Sequence, residues 1–186
     1  MISALKMTKF NVASINTCTE AEGPYKRLCI WFQGCNIRCP GCCNPDYQPI
    51  VPKHILALDE LIEIVSQAQK EFGIEGVTYL GGEPTLQQNL PSLTQKIKEL
   101  GLGIISFTGR KYEDAADILR GCDLVLDGAY KQDNPEKERR LLGSANQRIL
   151  LLTDRYKNAV NWFKSTGVKA VEVHVGNMIL ANGDVI

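Results

Sequence analysis

Between residues 27 and 175 the chain alternates short apolar runs with stretches of helical period, and this alternation leaves few folds open to it. The runs 27–34, 76–80, 103–108, 123–127, 147–152 and 169–175 read as buried strands. Between the first two, Leu58, Leu61, Ile62, Val65, Ala68 and Phe72 share one helical face, with Asp59 and Glu60 placed at the positive end. Asn89, Pro91 and Gly101 bound a second helix. Further helices are expected over 111–120, near 135–141 and across 155–165. The Asn182-Gly183 pair signals a hairpin turn within the last segment, 178–186. Its second strand is barely begun at residue 186, so a longer protein is expected.

This order argues for a parallel sheet covered by helices. Six strand–helix units are too few to close an eight-stranded barrel, which leaves a partial barrel or a doubly wound sheet. The expected fold is α/β: a partial open (β/α)6 barrel of parallel strands with outer helices, plus a C-terminal β-hairpin. No repeat or long linker divides residues 1–186, so one domain is expected, with a C-terminal extension from about 150. In such sheets the site lies beyond the carboxyl ends of the strands. A cysteine-rich loop, Gly81-Gly82 and Asp127-Gly128 each follow a strand, so all three are expected on one rim.

Four of the seven cysteines fall within residues 35–43. Formal net charge is zero, so no excess of Lys and Arg points to nucleic acid or an anionic membrane. The N-terminus lacks a long apolar run and no stretch approaches a membrane span, so a cytoplasmic location is expected. Thiols stay reduced there, which disfavours disulfides and favours metal binding. Cys35, Cys39 and Cys42 form C-x3-C-x2-C on one short loop. Structural zinc usually takes four ligands, often as two C-x2-C pairs. No second pair is present, although His54 is a conceivable fourth ligand. Three thiolates on a [4Fe–4S] cube would leave one iron open to a small molecule, whereas a simple electron carrier normally has four cysteines. Cys43 adjoins Cys42, so its side chain is expected to point elsewhere as a non-ligand.

The loop motif together with "GGEP" at 81–84 resembles the radical S-adenosylmethionine superfamily. The resemblance implies a [4Fe–4S] cluster on Cys35, Cys39 and Cys42, with S-adenosylmethionine chelating the open iron. Its reductive cleavage would yield methionine and a 5′-deoxyadenosyl radical that abstracts hydrogen. The glycines permit close backbone approach and Glu83 suits an ammonium group; by resemblance, Gly81, Gly82 and Glu83 hold the amino end of the cofactor.

A finer resemblance runs over about 22–149. "EGP", "WFQGCNIRCPGCCNPD", "FTGR", "LVLDGAY" and "GSANQR" are similar to the activating proteins of anaerobic ribonucleotide reductase. This implies a glycyl radical enzyme as protein substrate, flavodoxin or ferredoxin as electron donor, and Ser106, Thr108, Asp127 and Asn146 beside the cofactor. Ser, Thr, Asp and Asn also favour strand ends and caps for local reasons. Arg110 and Arg148 are single basic candidates. The chain departs from the activators in having Cys43 where they carry histidine and in continuing well past "GSANQR". The alternative is a small-molecule enzyme, since "QGCN" and "GGEPTLQ" also resemble 7-carboxy-7-deazaguanine synthase. An iron–sulfur electron carrier is a third reading, which gives "GGEP" no task.

Overall fold

The computed structural model describes residues 8–164, 171–175 and 179–183. A seven-stranded sheet runs in the order β3-β1-β2-β4-β5-β6-β7. Its centre is parallel: β2 (Arg27–Phe32), β4 (Gly76–Gly81), β5 (Gly103–Thr108) and β6 (Leu124–Asp127). β1 (Lys9–Thr19) pairs antiparallel with β2 on one side and with β3 (His54–Ala57), the edge strand, on the other. β7 (Arg148–Leu151) closes the opposite edge, antiparallel to β6.

Two helices cover one face. α1 (Leu58–Phe72) starts where the Glu60 carboxylate accepts the Ala57 N–H at 2.7 Å and stops at Gly73, whose left-handed backbone suits glycine. α2 (Leu90–Glu99) carries Pro91 in its first turn, where the missing N–H costs nothing. Because strand side chains alternate between faces, Leu28, Ile30, Phe32, Val77, Tyr79, Ile104 and Val125 meet the buried stripes of α1 and α2 in one core. The other face presents Cys29, Trp31, Leu80, Ile105 and Leu126. Tyr156 and Phe163 cover its β5–β6 end, and the β2–β4 end borders a cavity.

The six-strand parallel barrel is corrected: β2, β4, β5 and β6 pair in parallel, while β1, β3 and β7 pair only antiparallel. Parallel neighbours need a crossover, and 128–147 forms no helix between β6 and β7. The chain therefore returns antiparallel in β7, while β3, antiparallel to β1, runs in the same direction as β2. The helix expected at 111–120 is a short 3-10 turn at Tyr112–Asp114 followed by turns. The Asp127 carboxylate takes the Tyr112 N–H at 2.7 Å and fixes that start. No helix forms at 135–141 either. Glu136 accepts the backbone N–H groups of Lys137, Glu138 and Arg139, a side-chain alternative to helical bonding. Across 155–165 lie a 3-10 helix (Asp154–Ala159) and one α-helical turn, α3 (Val160–Phe163). The hairpin is present but shifted: β8 (Val171–Val175) pairs with β9 (Ile179–Gly183), and Asn182-Gly183 end a strand rather than form the turn.

Candidate active site

The rim formed by the carboxyl ends of β2, β4, β5 and β6 borders a cavity of about 1510 Å3 on the face away from the helices. Cys35, Cys39, Cys42 and Cys43 line it, together with Gly81, Gly82 and Glu83. Trp31, Leu80, Phe107 and Leu126 form its apolar floor. Their two-residue alternation with helix-facing neighbours was the signal that would have identified this floor from sequence.

The cysteine loop hangs from the end of β2 and is tied down from behind. Gly34 N donates to Tyr47 O at 2.8 Å and Cys35 N to Gln48 O at 2.9 Å. Gln33 is buried and its amide donates to the carbonyls of Asp46 and Pro49. The second segment is bound to the first: Gly82 N donates to Phe32 O and Glu83 N to Gly34 O, both at 2.8 Å. A Cβ on Gly82 would run into the carbonyl oxygens of Gly34 and Tyr47, and one on Gly81 into the backbone of Phe32. The paired glycines thus serve backbone-to-backbone contact with the cysteine loop, a demand the sequence does not distinguish from close approach to a ligand.

Glu83 is 1% exposed. One carboxylate oxygen accepts Thr85 N at 3.0 Å, Thr85 Oγ1 at 2.6 Å and Thr108 Oγ1 at 2.8 Å. The other accepts Gly109 N at 2.9 Å. Arg110 extends the lattice, donating to Thr85 Oγ1 at 3.0 Å and to Asn36 Oδ1, beside Cys35, at 3.1 Å. Sequence reading missed the parts of Thr85 and Asn36, because neither belongs to a chemical motif by itself.

Of the other residues singled out, Thr108 reaches the cavity, while Ser106 and Asp127 do not line it. Both stand on the alternate, helix-side positions of their strands. Ser106 is buried and donates to Phe107 O. Asp127 is buried against Arg148 and Tyr112 N. Asn146 does not line the cavity either: it donates to Ala129 O at 2.9 Å, and its Oδ1 is buried without a protein partner. Gln147 in the same motif accepts Gly143 N and Ser144 N and donates to Gly128 O, so "GSANQR" shapes the loop along the cavity. His54 is exposed on the edge strand.

Among the described residues no three His, Cys, Asp or Glu side chains converge as ligands of one metal ion. Burial pushes the Cys39 thiol up, and Cys42 and Cys35 push the same way against a hydrogen bond from the Tyr130 backbone. Asn44 N lies 3.4 Å from Cys42 Sγ, a donor for a sulfur that carries negative charge. Three cysteines on one short loop, with backbone donors at Cys39 and Cys42 and at the wall of a large cavity, fit a cluster whose irons would hold them deprotonated.

The model of a family described as a 4Fe-4S single cluster domain matches residues 21–150. The anaerobic ribonucleoside-triphosphate reductase-activating protein of Enterobacteria phage T4 is 28% identical over 151 residues, covering 77% of this chain and 96% of that protein. The pyruvate formate-lyase-activating enzyme of Staphylococcus epidermidis is 30% identical over 158 residues, covering 77% of this chain and 62% of the enzyme. That of Clostridium pasteurianum is 33% identical over 124 residues, 64% of this chain and 52% of the enzyme. The chain thus spans nearly all of the phage protein's length but just over half to three fifths of the two lyase activators. The crystal structure of QueE from Escherichia coli overlaps 58% of this chain and 56% of its own at 16% identity, with a TM-score of 0.49, which carries no argument.

Proposed function

Because the chain belongs to the family of 4Fe-4S single cluster domains, we propose that it installs a radical on a backbone glycine of a partner enzyme, an anaerobic ribonucleotide reductase or a related glycyl radical enzyme. The resemblance to radical S-adenosylmethionine activating enzymes is upheld by these relatives, and with it the two cofactors, a [4Fe–4S] cluster and S-adenosylmethionine. When bound, the cofactors supply the electron transfer and the hydrogen abstraction.

The observation that carries this reading is the single cavity wall shared by Cys35, Cys39 and Cys42 with Gly81, Gly82 and Glu83. Small-molecule sites run to roughly 300–1,000 Å3; about 1510 Å3 leaves room for an entering polypeptide beside a cofactor. The near full-length match to the phage activating protein leans the same way. Cys35, Cys39 and Cys42 hold the cluster. Gly81, Gly82, Glu83 and Thr108 form the cofactor-side wall, and Asn146 acts from behind it through its hydrogen bond to Ala129 O. Ser106 and Asp127 act from behind, by fixing strand ends. No helix among the described residues is long and apolar enough to cross a membrane, and three reduced thiols suit a cytoplasmic setting.

Anaerobic reconstitution, dithionite reduction and addition of S-adenosylmethionine with a candidate glycyl radical enzyme test the proposal. An organic radical is expected in electron paramagnetic resonance, with splitting altered by isotopic labelling at the glycine alpha carbon. Turnover of a carboxytetrahydropterin, with no radical on any partner, would instead support the deazaguanine synthase reading.

A further inference from the structure

The turn that follows β5 touches the cysteine loop as well as Glu83. A Cβ on Gly109 would stand 2.6 Å from Cδ1 of Ile37, a loop residue, so the missing side chain lets the loop close over the turn. Arg110 comes next, on a backbone pinned at both ends. Its N–H donates to Thr108 Oγ1 at 3.0 Å, and its carbonyl accepts Gly128 N at 3.1 Å. From that base the half-buried guanidinium forks. Nε donates to Thr85 Oγ1 at 3.0 Å, and Thr85 Oγ1 in turn donates to the Glu83 carboxylate at 2.6 Å. The other branch reaches Asn36 Oδ1, next to Cys35, at 3.1 Å. Among the described residues no other side-chain hydrogen bond links residues 35–43 to Glu83 and its donors. Both acceptors of the fork are neutral, and no carboxylate of the described residues forms an ion pair with Arg110.

A guanidinium keeps its charge at any working pH. An iron–sulfur cluster gains a negative charge when reduced, and the charges and hydrogen bonds around it set its potential. We propose that Arg110 is a positioning residue for the cluster: it ties the Cys35 end of the loop to the Glu83 lattice and fixes a positive charge there that makes the cluster easier to reduce. This rests on the reading that Cys35, Cys39 and Cys42 hold the cluster. On reduction the cluster takes one electron from an outside donor, and no atom is transferred.

Other charges do not cancel this one in a comparison of variants. Glu22 and Glu83 line the cavity, and Arg38 and Lys111 are exposed nearby in sequence. All four stay the same when Arg110 alone is changed. The donors to Glu83 are Thr85, Thr108 and Gly109, none of them charged, so loss of Arg110 also leaves that carboxylate without its nearby cation.

The test uses reconstituted wild type, Arg110→Gln, Arg110→Ala, Arg110→Lys and Asn36→Ala. Gln and Ala remove the charge, Lys keeps it without the planar fork, and Asn36→Ala removes one branch but keeps the guanidinium. Spectroelectrochemical titration of the visible absorbance gives the potential, and its loss to EDTA gives the lifetime of the cluster in the loop. At the wild-type midpoint the reduced-to-oxidised ratio should fall severalfold in the two charge-free variants and stay within about twofold in the other two. The fall should shrink as salt is raised. All four variants should lose the cluster to EDTA severalfold faster than wild type.

A wild-type ratio in the charge-free variants, or an equal fall in Arg110→Lys, overturns the proposal. So do unchanged EDTA lifetimes in Arg110→Lys and Asn36→Ala. A cluster that assembles in Arg110→Lys but in neither charge-free variant gives the charge to assembly rather than to reduction, and overturns it as well. Failure of the cluster reading looks different: Cys35→Ala then keeps the wild-type absorbance.

Discussion

The carboxylate of Glu83 accepts a 2.8 Å hydrogen bond from the hydroxyl of Thr108, although 25 residues separate them. With Thr85 and Gly109 also donating, the carboxylate is engaged before any ligand arrives. Its first task is to bind the end of β4 to the end of β5.

Glu83→Gln therefore removes an acceptor where donors converge and sets an amide N–H against one of them. Unfolding stability should fall by about 1–3 kcal/mol, together with cluster content. Denaturant titration and iron analysis check this. A variant of full stability that has lost only S-adenosylmethionine binding would show the carboxylate acting on the ligand instead.

Cys35→Ala, Cys39→Ala and Cys42→Ala should each abolish the visible absorbance of the reconstituted cluster, while Cys43→Ala keeps it. All four residues line the cavity, so the contrast depends on the C-x3-C-x2-C spacing alone. A colourless Cys43 variant beside a coloured one of the other three would reverse the assignment.

Gly82→Ala should hinder cluster assembly even though it adds only a methyl group. The new Cβ meets two backbone carbonyl oxygens, of Gly34 and Tyr47, that cannot turn away as a side chain could. Overpacking of this kind costs about 1–3 kcal/mol. Urea unfolding and iron content of the variant give the answer; wild-type values for both would remove the contact from the account.

Burial works to raise the Glu136 carboxyl, but the backbone donors of the following residues and Arg139 outweigh it and bring it to about 2. An unfolded Glu titrates near 4.3. A carboxyl depressed by folding adds stability above its unfolded value and loses it as pH falls through its folded one. The stability gap between wild type and Glu136→Gln should accordingly be widest at neutral pH and shrink between roughly pH 4.3 and 2. Denaturation at several pH values measures it, and a gap that grows on acidification would contradict the assignment.

The parallel centre of the sheet, the two long helices and the convergence of the cysteine loop with "GGEP" were legible because each rests on local period or spacing. β1 went unread, although Phe10 and Val12 alternate with polar neighbours. The expected helix at 135–141 gives way to Glu136, whose carboxylate takes the backbone donors of the three residues that follow it, while at 111–120 only a 3-10 turn capped by Asp127 forms. Which face Ser106 and Asp127 occupy follows from strand register, and register is fixed by partners that a linear reading does not show.

The backbone seam between Gly82 and Gly34 has a further consequence for how such a chain can diversify. It joins the cysteine loop and the Gly81–Glu83 segment through main-chain atoms, whose geometry survives most changes of side chain. The loop of residues 128–143, by contrast, is shaped by side chains such as Glu136, Arg139 and Gln147. Substitution there can change what the cavity admits while leaving the cysteine-bearing half untouched, so one half of the site is free to diverge as the other is inherited intact.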